Sequence, residues 1–154
     1  MMRTPNIVIS ITSKPRFLLL LLAYLGFISL GLPDAVLGVA WPSIRETFGL
    51  SQSGLGAILI AGSSGYFLSS FGTGSLVRRL GVGTLLAVST ALVTLSVAGY
   101  AITPFWYLFL GCALLAGLGS GAIDAGLNAY AASHFSTRHM NWLHACWGLG
   151  ATLG

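Results

Sequence analysis

Only three acids occur in 154 residues, and two of them stand alone in long apolar stretches. Asp34 is the one charge between Arg16 and Arg45, and Asp124 the one charge between Arg79 and Arg138. An aspartate at the centre of a membrane helix costs about 2.5–3.5 kcal/mol on insertion scales, so it reads by default as facing a polar, water-accessible cavity. The chemistry open to it there is uptake and release of a proton, or hydrogen bonding to a polar solute. Desolvation disfavours the charged form of a carboxyl, which suits the first of these tasks. The competing reading puts both acids near the membrane surface, where they only cap or snorkel. Asn128 follows Asp124 by four residues, hence on the same helical face, and adds both donors and an acceptor. His144 supplies the side-chain type whose charge changes near neutral pH, or else a hydrogen bond at a helix start. Trp41, Tyr130 and Trp147 offer rings for a solute to stack on, although aromatic belts at membrane surfaces account for such residues equally well.

The surroundings of the two acids match. Gly31-Leu-Pro-Asp34-Ala-Val-Leu37 and Gly121-Ala-Ile-Asp124-Ala-Gly-Leu127 share the pattern Gly-x-x-Asp-Ala-x-Leu, and 90 positions separate the aspartates. In the span order below, that offset is three helices, so the two copies cross the membrane in opposite directions. Inverted repeats of three helices place a solute site near the midplane. Pro33, directly before Asp34, removes a backbone donor and frees the carbonyl of Ser29, which predicts a bend beside the acid.

The elements that hold these residues follow from composition. With 55% hydrophobic and 6% charged residues, the chain has no polar shell for water; soluble domains carry about 25% charged residues. Its 21 glycines sit among many Leu, Val, Phe and Trp, unlike a disordered chain. An all-α integral membrane protein is the reading. A helix needs about 20 apolar residues to cross the hydrocarbon. Spans are predicted over about 17–40, 53–76, 81–102 and 105–130, with a fifth, incomplete, over 140–154. Residues 1–16 form an N-terminal segment before them. Ser51 is the expected N-cap of the second span, and Thr103-Pro104 the expected N-cap and first position of the fourth.

Arg3, Lys14 and Arg16, then Arg78 and Arg79, then Arg138 fall on one side, and only Arg45 on the other. The excess of basic residues marks the cytoplasmic side and puts the N-terminus there. No basic cluster forms a solvated face for nucleic acid. Cys112 and Cys146 have no metal-ligand spacing and read as packing residues, and no cofactor is expected. Small residues recur every four positions, at Ala113, Gly117, Gly121, Ala125 and Ala129 and at Ala61, Gly65, Ser69 and Thr73. Such stripes predict close helix contacts in a bundle.

The sequence resembles the N-terminal part of a major facilitator superfamily transporter, and within it the fucose-permease-like branch of sugar/proton symporters. The residues that carry the resemblance are Asp34 followed by Trp41-Pro42, the second-span exit Gly74-Ser-Leu-Val-Arg-Arg-Leu-Gly81, and Gly117-Leu-Gly-Ser-Gly-Ala-Ile-Asp-Ala-Gly-Leu-Asn128 with Met140-Asn-Trp-Leu-His144 after it. The resemblance implies four to five helices of a six-helix half built from inverted three-helix repeats, in the plasma membrane. It implies proton coupling at Asp34, a solute cavity at Asp124 and Asn128, and a further polar position at His144; Trp41 is added as a stacking residue. The superfamily's loop motif has an Asp where this chain has Arg78, and a Glu and a Gln of the branch fall on Asp124 and His144, so the solute is open. The partners implied are the bilayer, a small solute, protons and the remaining helices of a longer transporter.

Three other readings compete. A four-helix subunit of the small multidrug type, working as a dimer, has this size and a first-helix acid; a truncated, non-transporting product is the second. Gly62-Ser-Ser-Gly65 also fits the Gly-x-Ser-Gly pattern of rhomboid-like proteases, which pair the Ser with a His such as His134, His139 or His144.

Overall fold

The computed structural model describes residues 14–154, apart from the side chains of 14–16 and of Asp34. Arg3 and most of the expected cytoplasmic segment therefore lie outside the described residues. Five helices follow one another: α1 (Lys14–Thr47), α2 (Gly54–Leu80), α3 (Val82–Ile102), α4 (Trp106–His134) and α5 (Thr137–Leu153). The first four are long and apolar enough to cross a membrane. At 17 residues, α5 rises only about 26 Å, short of a full crossing.

Most helices run past the bounds expected from hydropathy. α1 continues seven residues beyond 40, through Pro33 and Pro42 alike. Proline removes one ladder bond, but among apolar neighbours no water waits to pair the rest of the backbone, so the helix persists. It ends where Gly49, at φ 62°, takes up a left-handed conformation. There the Leu50 N–H bonds the Arg45 carbonyl and the Gly49 N–H that of Glu46, a paired C-terminal closure that a glycine permits. The cap position of α2 falls on Ser53, not on the expected Ser51, whose hydroxyl instead lies 2.7 Å from that of Ser53. Thr103 closes α3, and Phe105 rather than Thr103 precedes the first residue of α4. Thr103 and Phe105 both hold extended backbone, each at ψ 126°, so Pro104 between them stays outside both helices. Between α2 and α3 the whole connection is Gly81, at φ 77°.

The packing reverses the pattern of a water-soluble protein. Large side chains such as Phe71, Ile60, Leu95 and Tyr107 face outward, while Gly65, Ser69, Thr73 and Ser96 are buried. Apolar side chains gain nothing by leaving lipid for one another, so contact forms where backbones come close. α4 packs along both α2 and α3, and α1 pairs with α5. A side-chain carbon added at Gly117 would strike the Gly62 carbonyl and Tyr66 amide, and one at Gly65 would strike the Leu114 carbonyl. The predicted stripe on α4 is thus real from Ala113 to Gly121 but leaves the seam below it, with Ala129 exposed. Every fourth residue drifts about 40° around a helix of 3.6 residues per turn, so five such positions cannot all face one partner.

The internal repeat is visible in these contacts. Gly31, which opens the first motif copy, lies against the α5 backbone at Trp147 and Ala151; Gly121, which opens the second, lies against the α2 backbone at Tyr66. In each case the first helix of one three-helix unit docks on the second helix of the other. The α1–α5 pair joins α4 through Phe27, Ile123, Leu127, Ala131 and Leu143. At the opposite end, Trp41, Ile58, Phe109 and Ala113 form a second cluster.

Replacing Gly117 by Ala is expected to destabilise the bundle by about 1–3 kcal/mol, the usual cost of overpacking. Gly72→Ala, where an added carbon meets nothing within 4 Å, is expected to stay within about 0.5 kcal/mol of the parent. Thermal unfolding of the two variants in detergent checks this, and equal midpoints would refute the α2–α4 seam.

Candidate functional site

Asp124 sits on α4 three residues after Gly121, on the face that the glycine brings against α2. That approach lets a side chain from α2 reach it directly. The Tyr66 hydroxyl donates to Asp124 Oδ2 at 2.5 Å, and Asn128 Nδ2 donates to Asp124 Oδ1 at 2.9 Å. Both carboxyl oxygens therefore accept, the pattern of a carboxylate held by neutral donors. The Tyr66 backbone is held in turn: its carbonyl accepts from Ser69 and Ser70, and Ser70 Oγ also reaches the Gly121 carbonyl at 3.3 Å. Asn128 Oδ1 is buried and has no donor among the described residues.

Asp124 and Tyr66 face a cavity of about 450 Å³ walled by all five helices, with Phe27 from α1, Tyr100 from α3, and His144 and Trp147 from α5. This is within the range of small-molecule sites, roughly 300–1,000 Å³. Most of the wall is apolar; Ser63, Tyr66, Ser120 and Asp124 bring polar groups from α2 and α4, and Tyr100 and His144 add one each from α3 and α5. Asp34 lies on α1 between Pro33 and Leu37, which both line the cavity.

The other residues singled out in sequence divide. His144 does line the cavity, but it stands in the middle of α5 and not at a helix start; its ring meets Phe27 edge-on at 5.8 Å. Trp147 lines the same space. Trp41 does not: it is buried in the far cluster, where its indole N–H donates to Gln52 Oε1 at 3.2 Å. Tyr130 stacks on His134 at 4.1 Å, away from the cavity wall. The connection after α4 is shorter than expected, so His134 ends α4 and His139 lies in the first turn of α5. His134 bonds Ser133 and the Tyr130 carbonyl, and His139 bonds the Tyr24 hydroxyl at 3.0 Å. In the Gly62-Ser-Ser-Gly65 pattern, Ser64 bonds back to the Ile60 carbonyl and both glycines serve the α4 contact. That accounts for the pattern by packing. Cys112 and Cys146 are free thiols.

Tyr66 is the site residue that sequence reasoning did not single out. A signal existed: it follows Gly65 directly on the small-residue stripe of α2, one position from the predicted seam. The Tyr66–Asp124 bond should appear as non-additivity. Unfolding free energies of Tyr66→Phe, Asp124→Asn and the double variant are expected to show a coupling of about 0.5–3 kcal/mol. Strictly additive values would mean that the pair is not formed.

Comparison with known proteins gives a family. The Major Facilitator Superfamily model matches residues 17–154. The chain is also similar to Bypass of stop codon protein 6 of Saccharomyces cerevisiae, 27% identical over 129 residues, covering 81% of this chain and 26% of that protein. The chain thus spans about a quarter of the length of that relative. No solved structure matches. Four membrane-crossing helices, walls built on glycine contacts and a family match that covers all five helices lead to one conclusion: this multi-pass integral membrane chain belongs to the major facilitator superfamily, a family of transmembrane transporters.

Proposed function

We propose that the chain forms the first five helices of a proton-coupled symporter for a sugar or similar small polar solute, of the fucose-permease-like branch, working in the plasma membrane. The observation that carries this reading is the Tyr66–Asp124 pair at the wall of a cavity to which every described helix contributes, with Asn128 bonded to the same carboxylate. A carboxylate held by neutral donors beside apolar and aromatic walls is suited to gripping a polar solute while the walls exclude bulk water. Asp34 is the proton carrier in this scheme, and its backbone position beside the cavity-lining Pro33 supports that role. The matching glycine contacts of α1 with α5 and of α4 with α2 support an inverted repeat, whose third helix in the second unit and opposing bundle come from further sequence.

In the intact transporter, Asp34→Asn is expected to abolish proton-driven accumulation while leaving solute exchange between the two sides. Full accumulation by this variant would overturn the coupling role. Asp124→Asn is expected to weaken apparent solute affinity roughly 10- to 100-fold, the scale of hydrogen bonds to a charged group. Uptake assays with an unchanged half-saturation concentration would count against the site.

A further inference from the structure

The site described above has an imbalance in its hydrogen bonding. Among the described residues, Asp124 accepts one neutral donor on each oxygen, where a carboxylate has about four acceptor positions. Asn128 Oδ1, buried beside it, receives no donor among the described residues. Among the described residues, this polar end therefore has acceptors in excess of donors. No Lys or Arg is among the residues that line the cavity. Its seven basic residues are Arg3, Lys14, Arg16, Arg45, Arg78, Arg79 and Arg138, and none lies in the interior of a span. Intramembrane acids ordinarily pair with a base or face a pathway for a charged species.

We propose that the solute is a small protonated amine, whose ammonium group is taken by Asp124 at the cavity wall; this rests on the transport reading above. An ammonium carries three donors and no acceptor, which complements an end with acceptors in excess. A neutral hydroxyl both donates and accepts, so it satisfies the same groups less completely. An anionic solute would set its own charge against Asp124, with no Lys or Arg in the cavity wall to offset it. The rest of the cavity agrees with an amine on a ring-sized body. The Tyr66, Phe27 and Trp147 rings line the space, and aromatic faces attract cations. Ser63 and Ser120 add hydroxyls along the wall for polar substituents.

The test uses three probes that share one ring and differ in charge: glucosamine, glucose and glucuronate. Each is titrated against the intact protein in proteoliposomes, in direct binding and in proton-driven uptake. Glucosamine is expected to bind at least about tenfold more tightly than glucose, with glucuronate the weakest. Asp124→Asn is expected to remove the preference for glucosamine, and Asp124→Glu, which keeps the charge, to retain it. Glucose bound as tightly as glucosamine, or a preference that survives Asp124→Asn, overturns the amine proposal while the transport reading stands. If none of the three binds or is taken up, the amine proposal fails; if the protein moves no solute under a proton gradient, the transport reading fails with it.

Discussion

In hydrocarbon nothing pushes two apolar helices together, so the fold rests on how closely their backbones can approach. The seam between α2 and α4 shows this directly. Gly65, Gly117 and Gly121 each leave a space that the facing main chain fills, and no side chain larger than hydrogen fits. The same device joins α1 to α5 through Gly31 and Gly150. Large residues such as Phe71 and Tyr107 are left on the outside, where lipid accepts them without cost. The glycines at these crossings are thus a packing requirement of the bundle and not a sign of disorder.

The close approach also decides the chemistry. With α2 and α4 in backbone contact at Gly121, Tyr66 lies within reach of a carboxylate three residues along α4. A wider seam would leave Asp124 in an apolar medium without its phenolic donor, at the desolvation cost that makes intramembrane acids rare. The cavity opens beside this seam: Gly62, Ala113 and Gly117 line it as well as making the contact, and Asp124 follows at its wall. Packing and site are one arrangement: the glycines that tie the helices together also set the separation at which the polar group is useful. The repeat carries this logic to the other pair, since Gly31 stands to Asp34 as Gly121 stands to Asp124.

Much of this is legible in the order of the amino acids. Apolar stretches of span length, broken at Thr103-Pro104 and at Gly81, give the order of helices, and the four-residue spacing of small residues gives the faces that meet. The ends of the helices are less legible. Hydropathy falls off at Trp41 and Pro42, yet α1 runs on to Thr47, because the backbone obeys its own hydrogen bonds rather than the polarity of its side chains. Aromatic residues are harder still. Trp41, Tyr130 and Trp147 look alike in sequence, and only Trp147 lines the cavity, because rotation about a helix axis and the drift of its neighbours fix which ring turns inward.

The amino-acid sequence alone establishes that the chain is a helical membrane protein, which of its residues are costly to bury, and that two of these sit in related surroundings. Each of those follows from composition and from spacing along a single helix. The partnership of Tyr66 with Asp124, the Asn128 carbonyl left without a donor among the described residues, and the separation of Trp41 from the site belong to the tertiary structure. Tyr66 and Asp124 stand 58 positions apart on different helices, and no local periodicity encodes the distance between two axes. That distance is set by the glycines at the crossing, acting together on both backbones at once.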